Sequence, residues 1–445
     1  MVRGALSDRV AAASAGRDRV LDAVRVGALV LVMLAHSLAW HIANGTIGNV
    51  LEQRPGMAVI TWGFQILALF FAAGGMSNGA ALARHPDPNA WLGRRLRRLL
   101  GPVLVYASLW SVVLLPVAAI IGGDDVVMVG KFLSQLLWFA GVYLVVVALA
   151  PWTHRHRSPT VLVAWLLLIV AVDAVRWNLA VSLGWLNMLL VWGWLHQIGY
   201  ELPRLRKLPA TRLLGGAAAA IALAVGLAVL GPYSNSMVTY AGDAEPSNLA
   251  PPTLVVALHG LALILILAAA WRPLARLLER PQVWTPFALL ASRGIGLYLW
   301  HIPLVGIAAG AALLLGLEIA PVGPAWWALH LTVAVLVIAG AWLLAGAAQH
   351  ALPLLDRVPS RPSAAGAAAL TAGAGIMVLL LSVTGFASWW SDGFLGAPAS
   401  TPFTLALLWL VWRFRPEVRT GSPAAGSPRA LDGPPPRPGR TAASG

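Results

Sequence analysis

Apolar runs of about 18 residues or more recur along nearly the whole chain, and each is long enough to cross a hydrocarbon core about 30 Å thick. Inside a bilayer, every backbone N–H and C=O group must find its partner within the protein, so such runs fold as helices or closed barrels. A transmembrane barrel would show successive alternating segments of about ten residues, and this sequence does not alternate in that way. The sequence therefore predicts an all-α, polytopic transmembrane helix bundle.

Composition agrees with a membrane location. Hydrophobic residues make up 59% of the 445 residues and charged residues only 11%, about half the charged fraction of a typical soluble protein. The net charge of +14 would suggest nucleic acid as a partner of a soluble chain, but these arginines occupy short loops between apolar runs, so membrane lipids are the expected partners and nucleic acid is not. Cysteine is absent, which excludes disulfides, thiolate metal sites and cysteine nucleophiles.

The spacing of apolar runs predicts about ten core helices and one or two additional C-terminal helices. The first run, from Leu21 to Trp40, is too long for a signal-peptide core and is expected to remain as a helix. The last run is short, and whether it crosses the membrane decides the side of the C-terminus. The predicted spans lie near residues 21–41, 57–83, 99–121, 132–151, 160–177, 182–201, 212–231, 252–271, 287–316, 325–349, 364–387 and 401–414.

Four regions follow from this layout. Residues 1–19 form a cytoplasmic segment, 20–350 the core membrane domain, 351–415 the additional transmembrane segments, and 416–445 a disordered tail rich in Pro, Gly and Ser.

Charge alternates between successive loops and predicts the orientation of the chain. The arginine-rich loops are 84–98, 154–157, 204–212, 272–293 and 357–361, whereas the opposite loops carry the acidic residues Glu52, Asp124, Asp125, Asp243, Glu245, Glu318 and Asp392. Positively charged loops stay on the cytoplasmic side. We therefore expect a multi-pass protein of the cell inner (plasma) membrane with a cytoplasmic N-terminus.

The first predicted helix carries the clearest set of polar residues. An ionisable side chain at bilayer depth costs about 2.5 kcal/mol or more, so each is a candidate functional residue. Arg25 and His36 are eleven residues apart, about three helical turns and 16 Å, and project from nearly the same face. The alternative is that Arg25 is a surface anchor paired with Asp22, and that His36 only bonds a neighbouring helix. His41, five residues beyond His36, would extend this set.

Four arginines lie at the start of the third predicted helix: Arg94, Arg95, Arg97 and Arg98. Guanidinium groups form bidentate contacts with phosphate, so this segment suits a nucleotide-bearing ligand such as CoA. Anionic lipid headgroups would fit as well, and a topology signal explains a bare charge cluster equally simply.

A third segment, LYLWHIP at residues 297–303, places His301 between Tyr298 and Pro303. The proline frees a carbonyl inside the helix, so His301 would either bind substrate or satisfy that backbone group. Asn187, His196 and His259 are lone polar residues in apolar spans and carry no motif of their own. The histidines lack the spacing of paired metal ligands, so no metal site is expected.

In this order, the three segments resemble the acyltransferase-3 family of bacterial membrane enzymes, which acylate surface carbohydrates, lipids and some secreted metabolites. The family pattern Arg-x10-His falls on Arg25 and His36, and its late Leu-Tyr-Leu-Trp-His-x-Pro pattern falls on residues 297–303. Its Arg-x-x-Arg pattern fits either of two registers, Arg94 with Arg97 or Arg95 with Arg98. Segments 136–152, 187–200 and 247–253 are similar as well, so the resemblance covers about residues 20–350.

Two departures from the family pattern stand out. Gly75, Met76 and Ser77 occupy positions where many members have Ser-Gly-Phe, and extra spans follow residue 360. Neither departure is expected to touch the pair Arg25 and His36.

The resemblance implies an O-acyltransferase that uses acyl-CoA as donor substrate and holds no permanently bound cofactor. The acceptor would be a hydroxyl of a cell-envelope carbohydrate, a glycolipid or a secondary metabolite. His36 and Arg25 would be catalytic, with His36 as the base or as a transient acyl carrier, and Arg94, Arg95, Arg97 and Arg98 would bind acyl-CoA. Asp22, Tyr298 and His301 are candidate substrate or structural positions. The alternative function is a transporter or flippase for a lipid-linked or polar substrate, which would also carry polar residues on intramembrane faces.

Overall fold

The structure, a computed structural model, describes residues 16–85, 87–178, 181–238, 248–358, 361–363, 366–389 and 401–416. Within these ranges, ten helices are long and apolar enough to cross a membrane. The predicted all-α, polytopic bundle is confirmed, and the chain is a multi-pass membrane protein. The predicted tail lies outside the described residues from position 417 onward, as do the predicted loop residues Asp243, Glu245 and Asp392.

Helices account for nearly all of the described elements. In chain order they are α1 Arg19–Leu38, α2 Val50–Gln53, α3 Thr61–Phe64, α4 Leu67–Arg84, α5 Pro88–Ile121, α6 Gly123–Ser134, α7 Leu137–Arg155, α8 Pro159–Asn178, α9 Asn187–Gly199, α10 Leu202–Leu205, α11 Ala210–Leu230, α12 Leu254–Leu278, α13 Pro281–Ala291, α14 Gly294–Leu314, α15 Pro324–Gln349, α16 Leu352–Asp356, α17 Ala367–Thr384 and α18 Thr401–Arg413. Two 3₁₀ helices cover Pro55–Ile60 and Val181–Leu186. Strands β1 Trp40–Ala43 and β2 Thr46–Asn49 pair antiparallel, and β3 Arg361–Ser363 pairs parallel with β4 Phe414–Pro416.

Long-range contacts gather several of the predicted cytoplasmic loops at one end of the bundle. The Arg19 guanidinium donates to the carbonyl of Leu278 at 3.0 Å, which joins the start of α1 to the end of α12. Arg97, near the start of α5, lies 3.2 Å from the carboxylate of Asp356 at the end of α16. We call this side, where α1 and α5 begin and α12 and α16 end, the arginine-rich end.

Helix α5 explains how the arginine segment reaches past the apolar core. It begins at Pro88, after the Asp87 side chain accepts a hydrogen bond from the Asn89 amide at 2.8 Å. It ends before Gly122, whose φ of +90° is a conformation that glycine adopts readily. Its 34 residues span about 51 Å, well beyond a hydrocarbon core of about 30 Å. Its first turns therefore have room to extend out of the apolar region.

The first helix is shorter than predicted because the chain turns back in a hairpin. Helix α1 ends at Leu38, and Asn44 and Gly45 have φ values of +50° and +67°, as the central residues of a type I′ turn require. The prediction that the helix continues to residue 41 is wrong. His41 lies in β1 opposite Gly48 and does not extend the helical face of His36.

Two predicted spans are shorter helices in the structure. The segment predicted at 182–201 consists of the 3₁₀ helix Val181–Leu186 followed by α9, and the segment predicted at 401–414 is α18. Helices α9 and α18 have 13 residues each, or about 20 Å, which is less than the apolar core. Neither is among the ten spans, although the 3₁₀ segment lengthens α9 by about 12 Å.

The C-terminal helix α17 packs against α7 at a close crossing of two glycines. A Cβ on Gly375 would lie 2.7 Å from the carbonyl oxygen of Gly141 and 2.7 Å from the Val145 side chain. Small residues that let backbones approach are how membrane helices associate without a hydrophobic driving force. Helix α17, which follows residue 360, is thus packed into the same bundle as the core domain.

Because the two backbones are this close, adding one methyl group at Gly375 should lower the stability of the folded protein. Gly375→Ala should destabilise the folded protein by about 1–3 kcal/mol, because the α7 backbone must move away. Gly373→Ala is the matched control, since nothing lies within 4 Å of the position that its Cβ would take. Thermal unfolding in detergent measures both variants. Equal midpoints for the two would contradict the close crossing.

Candidate active site

Arg25 is held between two helices. Its Nη2 atom donates to the carbonyl of Ala73 at 2.7 Å and to the hydroxyl of Ser77 at 2.5 Å, both on α4. Its Nη1 atom lies 3.7 Å from the carboxylate of Asp22, and 24% of the side chain remains exposed. The predicted ion pair with Asp22 is present, yet Arg25 is also fixed to α4, which a simple surface anchor would not require.

The contact with Ser77 corrects one expectation from the sequence. The departure from the family pattern at residues 75–77 does touch the proposed pair, because Ser77 accepts a hydrogen bond from Arg25. Gly75 has a separate reason to lack a side chain, since a Cβ there would collide with the carbonyl oxygen of His196. The local sequence therefore serves both the Arg25 contact and the close packing of α4 against α9.

A second chain of hydrogen bonds begins at Arg95 on α5. Arg95 donates to the side-chain oxygen of Asn78 at 2.8 Å, and the amide nitrogen of Asn78 lies 3.0 Å from Nε2 of His196. Asn78 and His196 are each only 1% exposed. Because the Asn78 amide donates, Nε2 of His196 accepts. In the sequence, Asn78 lies in an apolar span without a motif, and His196 is a lone polar residue in another such span.

The remaining arginines of this segment differ in their contacts. Arg97 lies against Asp356 and places its guanidinium carbon 4.5 Å from the ring centre of Trp412 on α18. Arg94 is exposed. Of the two registers for Arg-x-x-Arg, Arg94 with Arg97 thus includes a residue engaged with the C-terminal helices.

Arg98 faces the same region as Arg25 and Arg95. It interacts electrostatically with Arg95 and with Asp22, while Arg25 interacts with both Arg95 and Arg98. We call Arg25, Arg95 and Arg98 the arginine cluster. The nearby carboxylate of Asp22 already lies 2.7 Å from Nε of Arg17, so the cluster carries an excess of positive charge that suits an anionic ligand.

His36 meets His301, farther along α1 from the arginine-rich end. Nδ1 of His36 lies 3.3 Å from Nε2 of His301 on α14, with ring centres 5.2 Å apart. His36 is half-buried, whereas His301 is fully buried. The pair joins two of the three segments that the sequence singled out, and His36 is the member with accessible surface.

A row of aromatic rings connects the arginine cluster with the histidine pair. Tyr143, which lies near Arg25, stacks at 6.3 Å on Phe139, and Phe139 lies 5.1 Å from Tyr298. The Tyr298 ring is 6.0 Å from that of His301. The Tyr298 hydroxyl donates to the carbonyl of Leu136, so it ties α14 to the start of α7.

A buried carboxylate on α8 lies away from these residues. Asp173 on α8 accepts hydrogen bonds from the Asn187 side chain at 2.9 Å, the Tyr233 hydroxyl at 3.1 Å and the Leu254 amide at 2.8 Å. Its carboxylate joins α8, α9 and the start of α12, which indicates a structural role. A carboxylate inside a predicted span was a signal in the sequence, but the sequence did not identify its partners.

Comparison with known families adds one finding. The family model described as an acyltransferase domain, Acyl_transf_3, matches residues 18–346, a range that contains the arginine cluster and both histidines. No curated protein and no solved structure matches the chain.

Among the described residues, no group of three or more His, Asp or Glu side chains is arranged to hold a metal ion.

Proposed function

Since the chain belongs to the acyltransferase-3 family, we propose that this membrane acyltransferase transfers an acyl group from acyl-CoA to a hydroxyl of a cell-envelope carbohydrate, a glycolipid or a secondary metabolite. The observation that carries the proposal is the arrangement along α1. An arginine cluster lies at one level of the helix, a half-buried histidine lies about 16 Å farther along it, and aromatic rings connect the two levels.

The arginine cluster is the proposed site for the phosphates of CoA. Guanidinium groups bind phosphate oxygens through paired, charge-assisted hydrogen bonds, and Arg25 and Arg95 are already positioned by bonds to Ser77 and Asn78. The thioester arm would extend from the phosphates along Tyr143, Phe139 and Tyr298 toward His36.

His36 is the proposed base. Its ring nitrogen takes the proton of the acceptor hydroxyl while that oxygen attacks the thioester carbonyl. The new C–O bond forms, the C–S bond breaks, and the departing thiolate of CoA takes the proton back from the imidazolium. The products are an ester and free CoA, and His36 returns to its neutral form. No permanently bound cofactor is needed.

The arginine-rich end is the proposed cytoplasmic side of the plasma membrane. Positively charged loops are retained in the cytoplasm, and this end gathers the starts of α1 and α5. The donor would then enter from the cytoplasm, which contains acyl-CoA.

The proposal predicts that the protein recognises the phosphates of the donor. Protein purified in detergent should bind CoA saturably, and it should use acetyl-CoA with a KM at least about tenfold below that for S-acetylpantetheine, which lacks the nucleotide. Absence of CoA binding in a folded, monodisperse preparation would contradict the proposal. Transport of a polar solute in liposomes without any acyl donor would favour the transporter alternative.

A further inference from the structure

The bonding of His301 determines which of its nitrogens carries the proton. Nδ1 of His301 lies 2.7 Å from the carbonyl oxygen of Tyr298 and 3.3 Å from that of Leu297. Carbonyl oxygens only accept hydrogen bonds, so Nδ1 of His301 must be the donor. In a neutral imidazole the other nitrogen, Nε2, then has a free lone pair.

The backbone does not need this bond from His301. Pro303 lacks an N–H group, and the carbonyl that it leaves unpaired in a regular helix is that of Leu299, four residues earlier. The imidazole bonds Leu297 and Tyr298 instead, whose carbonyls receive the backbone N–H groups of residues 301 and 302 in the same geometry. The sequence-based alternative, in which His301 satisfies the group freed by the proline, therefore does not describe its contacts.

The orientation of His301 determines which ring nitrogen of His36 carries the proton. The Nε2 atom of His301 accepts, and the atom facing it at 3.3 Å is Nδ1 of His36, so Nδ1 of His36 carries the proton. The remaining nitrogen of His36, Nε2, is left with its lone pair.

We propose that His301 is a positioning residue that holds His36 in the tautomer with Nδ1 protonated, so that Nε2 of His36 is the atom that takes the acceptor's proton. This inference rests on the proposed function and assigns the reacting atom within it. When His36 becomes an imidazolium, its Nδ1–H remains directed at the lone pair of His301. The partner histidine thus stabilises the charged intermediate without itself changing protonation.

Two amide substitutions test this role, because each can replace only one of the two ring nitrogens of His301. In His301→Gln, the side-chain oxygen can reach the position of Nε2 and accept from His36. In His301→Asn, the shorter amide can donate to the Tyr298 carbonyl as Nδ1 does, but it does not reach His36. We expect His301→Asn and His301→Ala to lower kcat about 10- to 100-fold with little change in the KM for acetyl-CoA, and His301→Gln to retain most of kcat.

A merely structural role predicts the opposite order. In that case His301→Asn would recover activity and thermal stability because it restores the carbonyl bond, and His301→Gln would not. That order, or wild-type kcat in His301→Ala, would overturn the inference.

A measurement without turnover separates this inference from the proposed function. In protein labelled with ¹⁵N-histidine, the signals lost in His36→Gln identify His36, and its ¹⁵N shifts report which nitrogen is protonated. We expect a protonated Nδ1 in the wild type and a loss of that preference in His301→Asn. A protonated Nε2 in the wild type would overturn the inference, whereas the expected tautomer in a protein that transfers no acyl group would support it and reject the proposed function.

Discussion

His36→Ala is expected to lower kcat for acyl transfer by about a hundredfold or more, the usual contribution of a positioned general base. The KM for acetyl-CoA should change little, because the arginine cluster that is proposed to hold the donor phosphates lies about 16 Å away along α1. CoA release, followed with a thiol reagent at saturating donor, measures both constants.

The control for this variant is His156→Ala. His156 is an exposed histidine in the arginine-rich loop at the end of α7, so its loss should leave kcat unchanged. His36→Gln should be as inactive as His36→Ala, since an amide keeps a polar group at the site but cannot take a proton. Wild-type kcat in either His36 variant would remove His36 as the base. Labelled acyl groups found covalently on His36 would replace direct transfer by the acyl-histidine route.

Arg95→Gln and Arg98→Gln are each expected to raise the KM for acetyl-CoA about tenfold or more, because a hydrogen bond to a charged group contributes about 1.5–3 kcal/mol. Saturating donor should restore kcat to within a fewfold of the wild type. The reason is that both residues are proposed to bind the donor before the reaction rather than to act on the thioester.

Arg94→Gln controls for the effect of these charges on the orientation of the protein in the membrane. It removes the same charge from the same helix end, so a change in membrane orientation would appear equally in all three variants. We expect the KM to stay at the wild-type value in Arg94→Gln. In Arg97→Gln, the lost contacts with Asp356 and Trp412 should lower thermal stability and leave the KM unchanged. Equal KM values across the four variants would contradict a donor site at Arg95 and Arg98.

The fold class and the placement of Arg25 and His36 on one face of α1 follow from local spacing, which is why the sequence predicts them. The partners of those residues depend on how distant segments pack. His36 contacts a histidine 265 positions later, and Asn78 links Arg95 to His196 from within an apolar helix. Spacing within one helix contains no information about either contact.

The two registers of Arg-x-x-Arg illustrate the same limit. Arg94 with Arg97 and Arg95 with Arg98 have identical spacing, and the faces of the two pairs differ by one residue, about 100° around the helix. Only the position of α5 in the bundle shows that Arg95 and Arg98 lie toward Arg25, whereas Arg97 lies toward α18.

The sequence contains a local signal for the hairpin that follows α1. Asn44 and Gly45 form an Asn-Gly pair, a strong indication of a β-hairpin turn. The apolar run of α1 leads directly into Trp40–Ala43, so hydropathy alone predicts a helix to residue 41. Turn chemistry would have ended it at the hairpin and moved His41 off the helix.

The packing of the C-terminal helices is likewise not predictable from spacing alone. The match to the acyltransferase domain ends at residue 346, before α16 and α17. Yet Gly375 on α17 contacts Gly141 on α7, and Trp412 on α18 packs on Arg97. Helices α17 and α18 therefore pack against the core domain, and α18 lies beside the arginine segment of α5.

Acyl transfer from CoA through His36 can be tested by following the acyl group itself. Membranes that contain the wild type or His36→Ala, and that supply the native acceptors, are incubated with acetyl-CoA labelled in the acetyl group. Label in the carbohydrate, lipid and small-molecule fractions is then compared with the CoA released. We predict alkali-labile label in one fraction, one CoA released per acyl group transferred, and loss of both in His36→Ala. Equal labelling by the two proteins would contradict a role of His36 in the transfer, and no transfer by folded wild type would contradict acyl transfer itself.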